Sequence, residues 1–106
     1  MKPRAWLSLV GLVVVGCSLK FGQPFPSPDA AAIQIGVTNK QTLERLFGSP
    51  YQVGIDSGDQ TWRWLYGERR RDHEVTKDLN VRFNPNGTVK AYSFSSNFPD
   101  DMAKLK

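Results

Sequence analysis

The sequence predicts an α+β domain: two short N-terminal helices packed on one face of a three- to four-stranded antiparallel meander. Three observations carry this. Leu43, Leu46 and Phe47 recur at helical spacing between Thr38 and the Gly48-Ser49-Pro50 stop. From Tyr51 the apolar period changes to two, through "QTWRWLYG" and "KDLNVRF". Asn84-Pro85-Asn86-Gly87 then reads as a hairpin turn with Gly87 left-handed.

The elements follow in order. Lys2 and Arg4 precede an eleven-residue, almost unbroken apolar run from Ala5 to Val15, too short to span a bilayer. Val14-Val15-Gly16-Cys17 fits the lipobox of bacterial lipoproteins, which implies cleavage between Gly16 and Cys17 and acylation of Cys17. The lone cysteine is then an anchor, and two or three acyl chains hold firmly where one is marginal. Residues 1–16 are expected to be a signal peptide. Residues 17–29 form a lipidated N-terminus and Pro-rich tether, whose alternating Pro24, Pro26 and Pro28 favour extended geometry. Such a tether reaches up to about 35 Å. Phe25 docks on the domain edge or stays in the linker.

Residues 30–98 are expected to fold. Ser27-Pro28-Asp29 opens a first helix over Ala30–Gln34, ended by Gly36. Thr38-Asn39-Lys40-Gln41 has the form of a capping box, with Thr38 as cap for the second helix. A short strand at Tyr51–Ile55 precedes the turn Asp56-Ser57-Gly58-Asp59. Trp62, Trp64 and Tyr66 share one face of the next strand, and Leu79, Val81 and Phe83 one face of the strand after it. The final strand, about Thr88–Ser96, has awkward parity: Val89 and Ala91 are out of step with Tyr92 and Phe94, so it needs a bulge or two-sided packing. Residues 99–106 read as a frayed polar tail.

Composition bounds function. Removing residues 1–16 lowers the formal charge from +4 to +2, so no nucleic-acid partner is implied. One His and one Cys leave few soft ligands for a metal. No catalytic residue and no cofactor is expected beyond covalent lipid on Cys17. Asp72-His73-Glu74 is the one acid–histidine cluster, and adjacent loop residues rarely converge on a substrate. Arg69, Arg70 and Arg71 are partner-binding candidates for phosphates or carboxylates, against a plain solvated tip. Trp62 is the fourth candidate, as one of three rings in a short strand.

Ile35-Gly36-Val37-Thr38, Leu43-x-x-Leu46-Phe47-Gly48-Ser49-Pro50, Trp62-x-Trp64-x-Tyr66, Leu79-x-Val81-x-Phe83 and Gly87-x-Val89 occur in that order. Over residues 33–94 the chain resembles the SmpA/OmlA (BamE-like) family of small bacterial outer-membrane lipoproteins. Val37 departs from the family's usual methionine. The resemblance implies an outer-membrane, lipid-anchored protein on the periplasmic face. It implies a non-enzymatic scaffold with an envelope protein partner, such as barrel-assembly components. The alternative is a stand-alone envelope lipoprotein that binds lipid head groups or peptidoglycan, or inhibits an enzyme.

Overall fold

The computed structural model describes residues 19–106. The expected signal peptide over residues 1–16, with its cleavage position at Gly16 and Cys17, lies outside the described residues. In chain order the elements are β1 (Leu19–Gly22), α1 (Lys40–Phe47), β2 (Gln52–Asp56), β3 (Asp59–Arg69), β4 (Glu74–Phe83), β5 (Val89–Ser96) and α2 (Pro99–Leu105). All strand pairings are antiparallel within one open sheet. β3, β4 and β5 form a meander. β1 and β2 lie end to end along the other side of β3, β2 against its first half and β1 against its last.

The expected alternation holds in β3 and β4. Trp62 pairs with Val81 and Trp64 with Leu79, so their side chains share one face. Leu43 and Phe47 of α1 cover that face, together with Phe25 and Ile33. Leu46, the third member of the expected stripe, is 41% exposed. The helix ends at Gly48, whose φ of 86° suits glycine, and the Trp64 indole donates to the Gly48 carbonyl at 3.0 Å. The parity of β5 is resolved by a bulge: Arg82 pairs with Ala91 but Phe83 with Val89. Lys90 is the extra residue. It lets Val89, Tyr92 and Phe94 all join the core side.

Several expectations need correction. The two helices are not both N-terminal, and the sheet has five strands rather than three or four. Ala30–Gln34 forms turns, not a helix: Asp29 accepts the Ala31 N–H at 3.0 Å on its side chain and the Ala32 N–H on its carbonyl. The five residues Ala30–Gln34 offer too few intrahelical bonds to offset nucleation. The cap of α1 is Asn39, which accepts from the Thr42 N–H at 3.0 Å. Thr38 is buried instead and accepts the Gln34 N–H at 2.8 Å.

The second helix is C-terminal. Pro99 stands in its first turn with Asp100 and Asp101, which favour the positive end of the helix dipole. Asp101 is buried and accepts hydroxyls from Ser27 at 2.9 Å and Ser96 at 2.6 Å. Those bonds hold as a helix a tail whose composition looks frayed. The stretch before the domain is engaged as well. Leu19–Gly22 pairs with β3, and Phe25 is 4% exposed, edge-on to Phe47 and Phe94. No helix among the described residues is long and apolar enough to cross a membrane.

Candidate functional site

The arginine cluster lies at the tip of the β3–β4 hairpin. The tip is closed by the Arg70 N–H donating to the His73 carbonyl at 2.8 Å. Register sets Arg69 against Glu74, and their side chains form an ion pair. Arg70 reaches back to Glu68 at 3.0 Å. Glu68 also accepts the Tyr66 hydroxyl at 2.8 Å. Tyr66 and Arg70 hold its carboxyl below the usual carboxylate range. Arg71 has no carboxylate partner among the described residues. The three arginines share one exposed tip, but two are committed to glutamates of the same hairpin.

His73 Nδ1 lies 2.6 Å from Asp72 Oδ1, and the imidazole holds the Asp72 carboxyl below its ordinary value. Both groups are exposed, and the shallow concavity beside them is walled only by Arg69 to Glu74. That wall carries no hydroxyl or thiol for His73 to activate.

Trp62 belongs mainly to the core. Its ring lies 5.1 Å from Phe83 and 5.9 Å from Trp64, and Lys40 Nζ sits 5.5 Å above it. Its open side meets Val53 and Ile55 of β2, which are 65% and 77% exposed. The opposite face of the sheet is polar and internally paired. Arg63 grips Asp78 with two hydrogen bonds, at 2.9 and 3.0 Å, and Asp59 takes both Arg82 and Lys90 at 2.8 Å. Those bonds hold the Asp59 carboxyl below its usual range.

Sequence reasoning missed a clasp. Lys77 Nζ donates to Ser27 at 3.2 Å, Ser27 donates to Asp101, and the ammonium lies 4.9 Å over the Phe25 ring and 5.4 Å over Phe98. Burial lowers the Lys77 pKa and Asp101 opposes that shift. The group ties the N-terminal stretch, β4, β5 and α2 together across 74 residues of chain. Each member alone is an ordinary polar residue, so no local pattern announces the set.

Among the described residues, then, the fold is a small α+β domain whose charged and aromatic candidates form no catalytic constellation. The family model described as "Outer membrane protein assembly factor BamE domain" matches residues 22–93, about two-thirds of the chain, and the chain belongs to that family of non-enzymatic assembly factors. No curated protein and no solved structure matches it. The matched span reaches further toward the N-terminus than the motif resemblance and includes Phe25.

Proposed function

We propose that the chain is an outer-membrane lipoprotein, cleaved before Cys17 and acylated there, that serves β-barrel assembly by binding a protein of the assembly machinery. Family membership supports the assembly role. The Val14-Val15-Gly16-Cys17 lipobox supports the anchor, and the pairing of Leu19 with Arg69 indicates where it would lie. Two residue steps separate Cys17 from Leu19, a reach of at most about 7 Å. An anchor on Cys17 therefore brings the Arg69–Arg71 tip close to the bilayer, rather than lifting the domain away on a long tether. Arg71 is the arginine free to meet a phosphate or a partner's carboxylate, because Arg69 and Arg70 are engaged. Trp62 contributes through the edge it shares with β2.

Crosslinking in the intact envelope followed by pull-down tests the reading. Barrel-assembly components should be recovered with the parent chain and lost with Cys17→Ala. Recovery of lipid or glycan with none of those components would overturn the assembly role and favour a stand-alone envelope module. An unmodified Cys17 in the mature, membrane-bound chain, seen by mass spectrometry, would overturn the anchor.

A further inference from the structure

β2 is an edge strand with no partner on its outer side among the described residues, and its pairing with β3 decides which backbone groups are left over. Asp56 and Asp59 flank a two-residue turn in which Ser57 and Gly58 both have positive φ, 51° and 90°. That is the mirror-image turn of tight hairpins. The residues flanking it exchange backbone hydrogen bonds, and bonded and non-bonded pairs then alternate along the ladder. Gln52, Gly54 and Asp56 thus bond to Arg63, Thr61 and Asp59. Val53 and Ile55 aim their N–H and C=O groups away from β3. Their exposed side chains lie on the Trp62 side of the sheet, because they pair with Trp62 and Gln60.

Free edges are normally guarded by Lys, Pro, a bulge or a covering segment. β2 holds no Lys, Arg or Pro, and Asp56, its one charge, faces Arg82. Of the other edges, β1 carries Lys20, and β5 begins at a bulge where the 36–38 segment exchanges hydrogen bonds with Val89 at 2.8 Å.

We propose that the β2 edge pairs antiparallel with the same edge of a second copy of this chain, about a two-fold axis through Gly54. Val53 falls opposite the partner's Ile55, so the outward backbone groups of each strand meet those of the other. The same register stacks their β-branched side chains on one face. On the other face Asp56 falls opposite the partner's Gln52, an amide donor, and no like charges are opposed. Gly54 meets its own copy at a non-bonded position, where Cα atoms approach to about 4.5 Å and the missing side chain leaves room.

The paired segment is short, below the ~1,200 Å² of a standard interface, so the dimer is weak in solution and favoured on a membrane. Where both chains are anchored at Cys17, which rests on the anchor reading, each Leu19 lies about 26 Å from the axis by strand rise. The two β1 strands stand at opposite ends, so the joined sheet lies along the membrane.

The test uses the full chain in its membrane, with Gly54→Cys. The expected Cα spacing suits a disulfide. Gly54 does not have positive φ, and an added Cβ would meet only Thr61 Oγ1, at 3.2 Å. Mild oxidation should link Gly54→Cys into dimers at least tenfold faster than Gln60→Cys, an exposed control one strand inward. Adding Ile55→Lys should slow linking at least tenfold, and the parent chain, with Cys17 alone, gives the background. If Gly54→Cys does not fold, Val53→Lys in the otherwise native chain should weaken dimerisation at least tenfold in sedimentation equilibrium. Equal rates for Gly54→Cys and Gln60→Cys, or no effect of either lysine, would overturn the pairing. So would linkage only to another envelope protein, which would give the edge to a foreign strand.

Discussion

β1 and β2 share one side of β3 and meet opposite conditions. β1 is fastened. Phe21 lies over Gly67, where a Cβ would stand 2.2 Å from the ring, and Gly67 is buried beneath it. The chain then continues into Phe25 and Ser27, which enter the core and the Lys77–Asp101 clasp. The charges near β1 cancel in pairs, Arg69 with Glu74 and Arg70 with Glu68. β2 is left open: all five of its residues are exposed, although Val53 and Ile55 are as apolar as the core. An edge strand is buried only where a second layer overhangs it. In this fold the overhanging residues are Phe25, Ile33, Leu43, Phe47 and Phe98, which gather over β3 from Trp62 to Tyr66 and over β4 and β5.

The contrast can be broken most strongly at the fastened end. Phe25→Ala removes a buried ring that touches Phe47 and Phe94 and backs Lys77. It should cost about 3–5 kcal/mol in denaturant unfolding. A cost below about 1 kcal/mol would show that the N-terminal stretch is only loosely laid on the domain. Gly67→Val should expel Phe21 and cost about 1–3 kcal/mol by overpacking. Hydrogen exchange should then quicken in β1 while β4 stays protected; uniform loss of protection would mean that β1 is part of the core unit.

Acid should weaken both ends of β3. Asp59 and Glu68 have folded-state pKa values below their ordinary ones. Their contribution is present above the unfolded carboxylate pKa and is lost as pH falls through the depressed folded value. Stability should therefore fall below about pH 4, and Asp59→Asn with Glu68→Gln should flatten that limb in pH-dependent melting. An unchanged acid limb would show that these pairs add nothing.

The smallest effects are expected at exposed positions. Serine at Arg69, Arg70 and Arg71 together should change stability by about 0.5 kcal/mol, since exposed ion pairs contribute little. Capture of the partner or of anionic vesicles should weaken, and raised salt should mimic this. Arg71→Ser alone should reproduce most of the loss, whereas an equal share from Arg69 would mean that its ion pair opens on binding. Ile55→Lys should leave stability within about 0.5 kcal/mol.

Much of the fold was legible because its signals are local. The Trp62–Tyr66 and Leu79–Phe83 alternations, the Asp56–Asp59 turn and the Gly48 stop need only a few neighbouring residues. The short helix expected at Ala30–Gln34 was not legible, because Asp29 can serve a turn as well as a first helical turn and the choice lies in where Ile33 is buried. The tip was legible as a charged loop. Its internal pairing was not, because that depends on cross-strand register between Arg69 and Glu74.

By itself the sequence determined the α+β class, the alternating faces of β3 and β4, and the turns, because each rests on spacing within a few residues. The tertiary structure alone decided that Leu19–Gly22 becomes a strand, that the polar C-terminus becomes a helix, and that the chain beside β1 is tied into the core through Phe25 and Ser27 while β2 stays exposed. Those outcomes depend on partners far along the chain: β3 for Leu19–Gly22, Ser27 and Ser96 for Asp101, and the limited reach of the covering layer for β2. A four-residue strand and a seven-residue helix hold no pattern long enough to specify themselves. They form because ordering them satisfies backbone and carboxylate groups that the rest of the fold has already brought into position.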